Sequence, residues 1–315
     1  MIMGDTLVLI TTGGTIAMRD DPDAGGAVPT LGPADLRASL PPDIRDRVEW
    51  QVEEFRNLPS AHLTLDDLWE LRRLAGDVAD QAGVQGVLIT HGTDTMEETA
   101  FLLDLTTATR CPIVLTGAMR HTLESGYDGF ANLADAARVA LCPEAQEQGA
   151  LVVMNGEVHA ARFVTKTHTL AANTFQSPGW GPVGRIEGDE VILSRRVTRE
   201  VLPARRLEPD VHLIKLTVGA DADYLRYLLA RSVKGIVIEG LGAGRVPPRW
   251  VPAIREAVAK GIAVVIASRC SAGRVYDTYG YRGAYRDLES AGVLFAEGLS
   301  GPKARLKLMV TLGSG

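Results

Sequence analysis

Short apolar runs alternate along the chain with longer stretches whose apolar positions recur at helical spacing. Runs over residues 6–11, 86–90, 112–116 and 151–154 predict strands. Between the first two, residues 64–81 predict a helix: Thr64 can cap it, Asp67 follows three residues on, and Leu65, Leu68, Leu71 and Val78 share one face. Further on, strand-like runs at 211–216, 235–239 and 262–267 alternate with helices near 221–231 and 250–260. This alternation predicts an α/β chain of two domains, a larger N-terminal one with a mainly parallel sheet and flanking helices and a smaller C-terminal α/β one. The expected division is residues 1–194, a linker at 195–210 and residues 211–315; the linker is marked by Arg195-Arg196, Pro203, Arg205-Arg206 and Pro209. Residues 19–33 are rich in Asp, Gly and Pro and have little to bury, so a long mobile loop is expected directly behind the first strand.

Composition narrows the function classes. With 46% hydrophobic and 23% charged residues in 315, the chain can build ordinary globular cores, which excludes a disordered or fibrous protein. Lys and Arg number 33 against 39 Asp and Glu, with no concentrated basic run, so neither a nucleic-acid partner nor a membrane surface is expected. The longest apolar stretches, such as residues 261–267, fall far short of the ~20 residues that span a bilayer. The first residues lack a positive segment and a small-residue cleavage site, and read as the approach to a strand. Cys111, Cys142 and Cys270 are too few and too scattered for a disulfide framework, so a reducing, cytoplasmic setting is expected. Neither the cysteines nor the histidines at 62, 91, 121, 159, 168 and 212 fall at metal-ligand spacing, so no metal is expected. No cofactor is expected either: Gly240-x-Gly242-x-Gly244 lacks dinucleotide-loop spacing, and Walker A and G-x-S-x-G motifs are missing.

In an open α/β sheet, ligands bind beyond the carboxyl ends of the strands. Three predicted strand ends carry unusual clusters: Thr11-Thr12-Gly13-Gly14-Thr15, His91-Gly92-Thr93-Asp94-Thr95 and Gly117-Ala118-Met119. Together they offer a hydroxyl nucleophile, a second hydroxyl, a carboxylate for a cation, and glycines that let a ligand approach the backbone. The same residues also suit a tight Gly-Gly turn and a helix cap at Thr93 or Asp94, and these residues alone leave both readings open.

The clusters resemble the two signatures of the bacterial-type L-asparaginases: Thr11-Thr12-Gly13-Gly14-Thr15-Ile16-Ala17, and the run from Ile89 through Thr93-Asp94-Thr95-Met96-Glu97-Glu98 to Ala100. Leu115-Thr116-Gly117-Ala118-Met119-Arg120 is similar to a third block of that family, and Val152-Val153-Met154-Asn155 with Val164-Thr165-Lys166-Thr167 to a fourth. The resemblance runs in order from residue 6 to about residue 188 and resumes through residues 235–244 and 301–305. It implies hydrolysis of L-asparagine to L-aspartate and ammonia through an acyl-enzyme. It further implies Thr15 as nucleophile, with Thr93, Asp94 and Lys166 as a second catalytic cluster in which Lys166 activates Thr93. Ser60 would hold the substrate's α-carboxylate and Asp94 its α-amino group, with Gly14 beside the substrate and the N–H groups of Thr93 and Ala118 as the oxyanion site. A homotetramer built from close dimers, or a homodimer, with active sites between subunits is implied as well.

Several positions depart from the family pattern. A tyrosine common after the first motif is missing, since the stretch reads Gly25-Gly26-Ala27-Val28-Pro29 and the first tyrosine in the chain is Tyr127. Either another residue activates Thr15, with Tyr276, Tyr279 or Tyr281 of a neighbouring subunit as candidates, or turnover is impaired. Ala61-His62 replaces a polar pair after Ser60, and Ala243 stands for a common asparagine. Two alternatives follow: a glutaminase-asparaginase that also takes L-glutamine, or a catalytically impaired amide-amino-acid binding protein. A related tRNA-dependent amidotransferase component would be expected to carry a further N-terminal domain, for which Thr15 leaves little room.

Overall fold

The computed structural model describes residues 5–21 and 25–314, and these form two compact units, Met1–Val201 and Leu202–Gly315. The first unit contains strands β1 (Thr6–Thr11), β2 (Met18–Asp21), β3 (Gly26–Pro29), β4 (Glu49–Glu54), β5 (Val84–Thr90) and β6 (Ile113–Thr116). After them come β7 (Ala150–Met154), β8 (Glu157–Ala160), β9 (Thr165–Lys166), β10 (Phe175–Gln176), β11 (Gly184–Glu187) and β12 (Glu190–Leu193). Its helices are α1 (Pro33–Ala38), α2 (Pro42–Arg45), α3 (Leu65–Ala79), α4 (Met96–Thr106) and α5 (Gly129–Ala140).

Eight of these strands make one sheet in the order β12-β11-β8-β7-β6-β5-β1-β4, parallel from β7 to β4. Both faces are covered, because alternate residues of each strand enter opposite cores. Leu7, Leu9, Leu88 and Val114 pack with Leu133 and Ala137 of α5. Val8, Ile10, Val87 and Ile113 pack with Leu71 of α3 and Ala100 of α4. Each such aliphatic side chain removed from water contributes about 1.5–3 kcal/mol, so the inner strands are near-continuous apolar runs. Helix α3 carries the cap its sequence predicts: Thr64 accepts from the Asp67 N–H at 3.1 Å while Asp67 accepts from the Thr64 N–H at 2.9 Å.

Two elements differ from expectation. Residues 19–33 are not one long loop, because β2 and β3 pair as an antiparallel hairpin from Met18↔Pro29 to Asp21↔Gly26; residues 22–24 lie outside the described residues. The hairpin base is held by the Thr122 hydroxyl, which donates to the Met18 carbonyl at 3.0 Å. Strand β4, which the apolar pattern did not reveal, is the sheet's edge, and its sequence Glu-Trp-Gln-Val-Glu-Glu is nowhere fully buried.

The second unit holds β13 (Val211–Lys215), α6 (Asp223–Ala230), β14 (Gly235–Gly240), α7 (Val251–Ala259), β15 (Ala263–Ser268), α8 (Tyr285–Ser290), β16 (Leu294–Phe295) and α9 (Gly301–Gly313). Its four strands are all parallel, in sequence order, over a core of Ile236, Ile238 and Ile266 against Leu225, Trp250 and Ile254. Residues 194–210 carry no helix or strand. No helix among the described residues is long and apolar enough to cross a membrane.

Candidate active site

The first sheet's order reverses beside β1: the chain runs from β1 to β4 on one side, then crosses to β5 on the other. Such a switch point opens a crevice at the strands' carboxyl ends. There Thr11, Thr90 and Thr116 lie abreast, in register across β1, β5 and β6. The loops behind them are joined directly: the Thr12 N–H and hydroxyl both donate to the Thr90 carbonyl, at 3.1 and 3.0 Å, and the His91 N–H donates to the Thr116 carbonyl at 2.8 Å.

Backbone contact between loops explains the glycines. Gly14 has φ +84°, and a Cβ there would lie 2.6 Å from the Gly92 Cα. Gly13, at φ +96°, leaves no more room, because its Cβ would stand 2.5 Å from the Leu58 nitrogen. A Cβ on Gly92 would meet the Ser60 hydroxyl at 2.7 Å. Gly14, Gly92 and Ser60 are therefore stacked in contact. Thr15 and Thr93, the residues that follow the two glycines, sit on this pair of touching loops. Thr15 opens a single 3-10 turn (Thr15–Ala17) and is half-buried, whereas Thr93 is buried.

Lys166 reaches this cluster from β9. Its ammonium donates to Thr93 Oγ1 at 2.8 Å and to Asp94 Oδ1 at 2.7 Å. The lysine side chain is only 16% exposed while that of Asp94 is 66% exposed, so the carboxylate keeps a face toward water. Thr93 thus accepts a charge-assisted hydrogen bond, and its own proton is free to point elsewhere. Ser60 is buried, and its carbonyl accepts from the Thr95 hydroxyl at 3.1 Å. Ala118 is buried as well, on a loop that Asp128 clamps by accepting from the Met119 N–H at 3.1 Å and the Arg120 N–H at 3.0 Å. Asn132 adds a donor to the Gly117 carbonyl at 3.0 Å. A Cβ on Gly117 would lie 3.4 Å from Thr93 Cγ2, so this loop flanks the same threonine.

Several supporting residues escaped the sequence reading. Asp128 and Asn132 stand one helical turn apart at the start of α5, a spacing that could have signalled a shared target. The Tyr127 hydroxyl donates to the Ile16 carbonyl at 2.8 Å, one residue beyond Thr15; burial, with the nearby Asp128 charge, pushes this phenol well above its ordinary value and keeps it protonated. His91, fully buried, lies with Nδ1 2.7 Å from the Gly92 carbonyl and Nε2 3.0 Å from the Thr99 hydroxyl. Burial lowers its pKa to about 4, so the ring is neutral; the carbonyl can only accept, which assigns the proton to Nδ1. Among the described residues no three acidic, histidine or cysteine side chains converge as a metal site would require.

A parallel α/β sheet with threonines, a lysine and an aspartate gathered at its switch point defines a class of protein built to bind a small polar ligand in loops at a strand edge. Comparison with known proteins places the chain in a family. Residues 6–199 match the model of the "Asparaginase, N-terminal" family and residues 210–315 that of the "Glutaminase/Asparaginase C-terminal domain". The chain is similar to an L-asparaginase of Bacillus licheniformis, 37% identical over 99% of this chain and 97% of that protein. It is similar too to a probable L-asparaginase of Deinococcus radiodurans, 40% identical over 98% and 93% of the two chains. A glutaminase-asparaginase of Pseudomonas fluorescens is 31% identical over 97% of this chain and 86% of its own length. The chain belongs to the asparaginase family of amidohydrolase enzymes.

Proposed function

We propose that this protein hydrolyses L-asparagine to L-aspartate and ammonia through a threonine nucleophile. The observation that supports this most is the Lys166 ammonium seated on both Thr93 Oγ1 and Asp94 Oδ1, on a loop in backbone contact with the one that carries Thr15. In this reading the Thr15 hydroxyl oxygen attacks the side-chain amide carbon. A neutral hydroxyl is a weak nucleophile, so its proton must leave as the bond forms. Thr93, its oxygen held by Lys166, relays that proton to the departing nitrogen, which leaves as ammonia. Water then attacks the acyl-Thr15 ester, releases aspartate and restores the hydroxyl. The negative oxygen of each tetrahedral intermediate falls to the N–H groups of Thr93 and Ala118, fixed donors worth about 2.7–4 kcal/mol apiece in comparable acyl-transfer sites.

Substrate ends are assigned by charge. Ser60, packed over Gly92, takes the α-carboxylate beside the Gly14 backbone; the exposed side of Asp94 takes the α-ammonium. The same reading includes a homotetramer of close dimers with sites shared between subunits, and a cytoplasmic setting that suits the unpaired thiols of Cys111, Cys142 and Cys270.

Ammonia release measured separately with L-asparagine and L-glutamine tests the proposal. Consumption of asparagine with little of glutamine is the expected result. Equal turnover of both assigns the broader glutaminase-asparaginase range, and binding of asparagine without any ammonia overturns the hydrolase reading.

A further inference from the structure

Helix α4 begins directly after the Thr93-Asp94 loop, and the side chains of Thr95 and Glu97 at its start bond to other segments. The N-cap residue Thr95 makes no capping bond. Glu97, in the first turn, stands where an acidic residue ordinarily steadies its own helix N-terminus. Its carboxylate instead accepts the backbone N–H of Lys166, 69 positions along the chain, at 2.6 Å.

That N–H has no partner in its own strand, and the pairing shows why. Strand β9 is two residues long and pairs only with β10, with Lys166 opposite Phe175 and Thr165 opposite Gln176. One position on, the Thr167 N–H donates to the Thr174 carbonyl at 2.8 Å. Antiparallel pairs alternate between bonded and non-bonded positions, so Lys166 occupies a non-bonded one and its N–H turns away from β10. Half-buried and turned from its own sheet, this donor finds its acceptor in Glu97.

We infer that Glu97 is a positioning residue, which fixes the base of the Lys166 side chain so that its ammonium rests on Thr93. This inference builds on the proposed hydrolase mechanism. Lysine reaches its targets through a stem of four rotatable bonds, and a point charge on such a stem is placed only as well as its Cα is. Here the lysine is held at both ends: at the tip by Thr93 and Asp94, and at the backbone by the residue three positions after Asp94. One short segment, from the Thr93-Asp94 loop into the first turn of α4, thereby sets the spacing of hydroxyl and ammonium, and a two-residue strand is enough to carry a catalytic lysine.

The test compares Glu97→Met, which keeps the stem's bulk and removes the acceptor, with Glu97→Gln, whose amide oxygen still accepts; Glu97→Ala serves if the thioether packs badly. Two quantities are read: steady-state kinetics with L-asparagine, and amide hydrogen exchange at Lys166. For Glu97→Met, kcat is expected to fall roughly 10- to 100-fold, as a displacement of about 1 Å in a reacting group produces. KM should change less than kcat, since Glu97 touches no substrate-binding group directly and reaches Asp94 only through Lys166. Exchange at Lys166 should accelerate in the same variant, and Glu97→Gln should recover most of both. Unchanged kcat in Glu97→Met, a loss expressed in KM alone, or a Glu97→Gln variant as poor as Glu97→Met overturns the inference. If the unaltered protein cleaves neither amide, the hydrolase reading fails on its own account. Exchange at Lys166 then still decides whether Glu97 holds that backbone, and an unaltered rate overturns it.

Discussion

Both units contain runs of parallel strands covered by helices, yet their strand ends are finished in opposite ways. In Met1–Val201 the neighbouring tips Thr11, Thr90 and Thr116 lead into glycine-bearing loops, and the Asp94 carboxylate faces water above a lysine. In Leu202–Gly315 the corresponding tips are Lys215 and Glu239, opposite one another in register. Glu239 is buried there, accepts the Gly301 N–H at the start of α9 at 3.2 Å and pairs with Lys215 at 3.4 Å. The loop behind β14 folds straight back on its strand, so that a Cβ on Gly240 would stand 2.5 Å from the carbonyl carbon of Gly244. A helix terminus therefore plugs one sheet edge, while the other keeps its polar groups available. The rule that ligands gather at strand carboxyl ends names a place; whether anything can react there depends on which side chains the loops bring and on whether the fold uses those groups for itself.

Three experiments could break this contrast or sharpen it. The largest effect is expected at the first edge: Thr15→Ala and Thr93→Val should each lower kcat by about 10³-fold or more, as loss of a nucleophile or its partner does in acyl transfer. Circular dichroism and thermal unfolding should stay close to those of the unaltered protein. Loss of folding in place of loss of rate would make these threonines structural and erase the distinction.

Next comes the response to acid. Burial holds His91 at about 4, against an ordinary 6.5. Between those values the unfolded chain takes up the proton more readily than the folded one. Stability is therefore complete above pH 6.5 and is lost as pH falls toward 4, by about 3 kcal/mol for this group. The second unit contains a single histidine, the half-buried His212. Hydrogen exchange at falling pH should then show the first unit loosening ahead of the second, and His91→Gln should flatten the slope. Equal loosening of both units, or a slope indifferent to this substitution, would contradict the assignment.

The smallest effect belongs to the second edge. Glu239→Leu removes the acceptor of the Gly301 N–H and should cost about 1–3 kcal/mol of stability, read as a lower unfolding midpoint. Turnover below that midpoint should be unchanged. A fall in kcat comparable to that of Thr93→Val would show that this edge takes part in chemistry after all.

How much of this was visible in the residues follows from the range over which each feature is decided. The inner strands announced themselves because both of their faces are buried, and α3 because its cap and its apolar stripe are local. Strand β4 did not, since an edge strand with glutamates at three of six positions has no apolar signature. The hairpin of β2 and β3 was masked by a composition that suits loops equally well. At the site, Thr15, Thr93, Asp94 and Lys166 could be singled out through their motifs, and the contact of the last three is a matter of geometry that no motif states. Glu97 and Tyr127 were not legible as site residues, and Asp128 only through its one-turn spacing from Asn132. Each acts on a backbone group belonging to another segment, and the sequence distance to that group says nothing about it.

The contact of Gly14 with Gly92 has one more consequence, for anyone who would reshape this enzyme. Main chain rests on main chain there, so the gauge between the two threonine loops is cut from atoms that every amino acid shares. Point mutation can jam such a gauge by adding a methyl group, yet can neither widen nor narrow it by degrees.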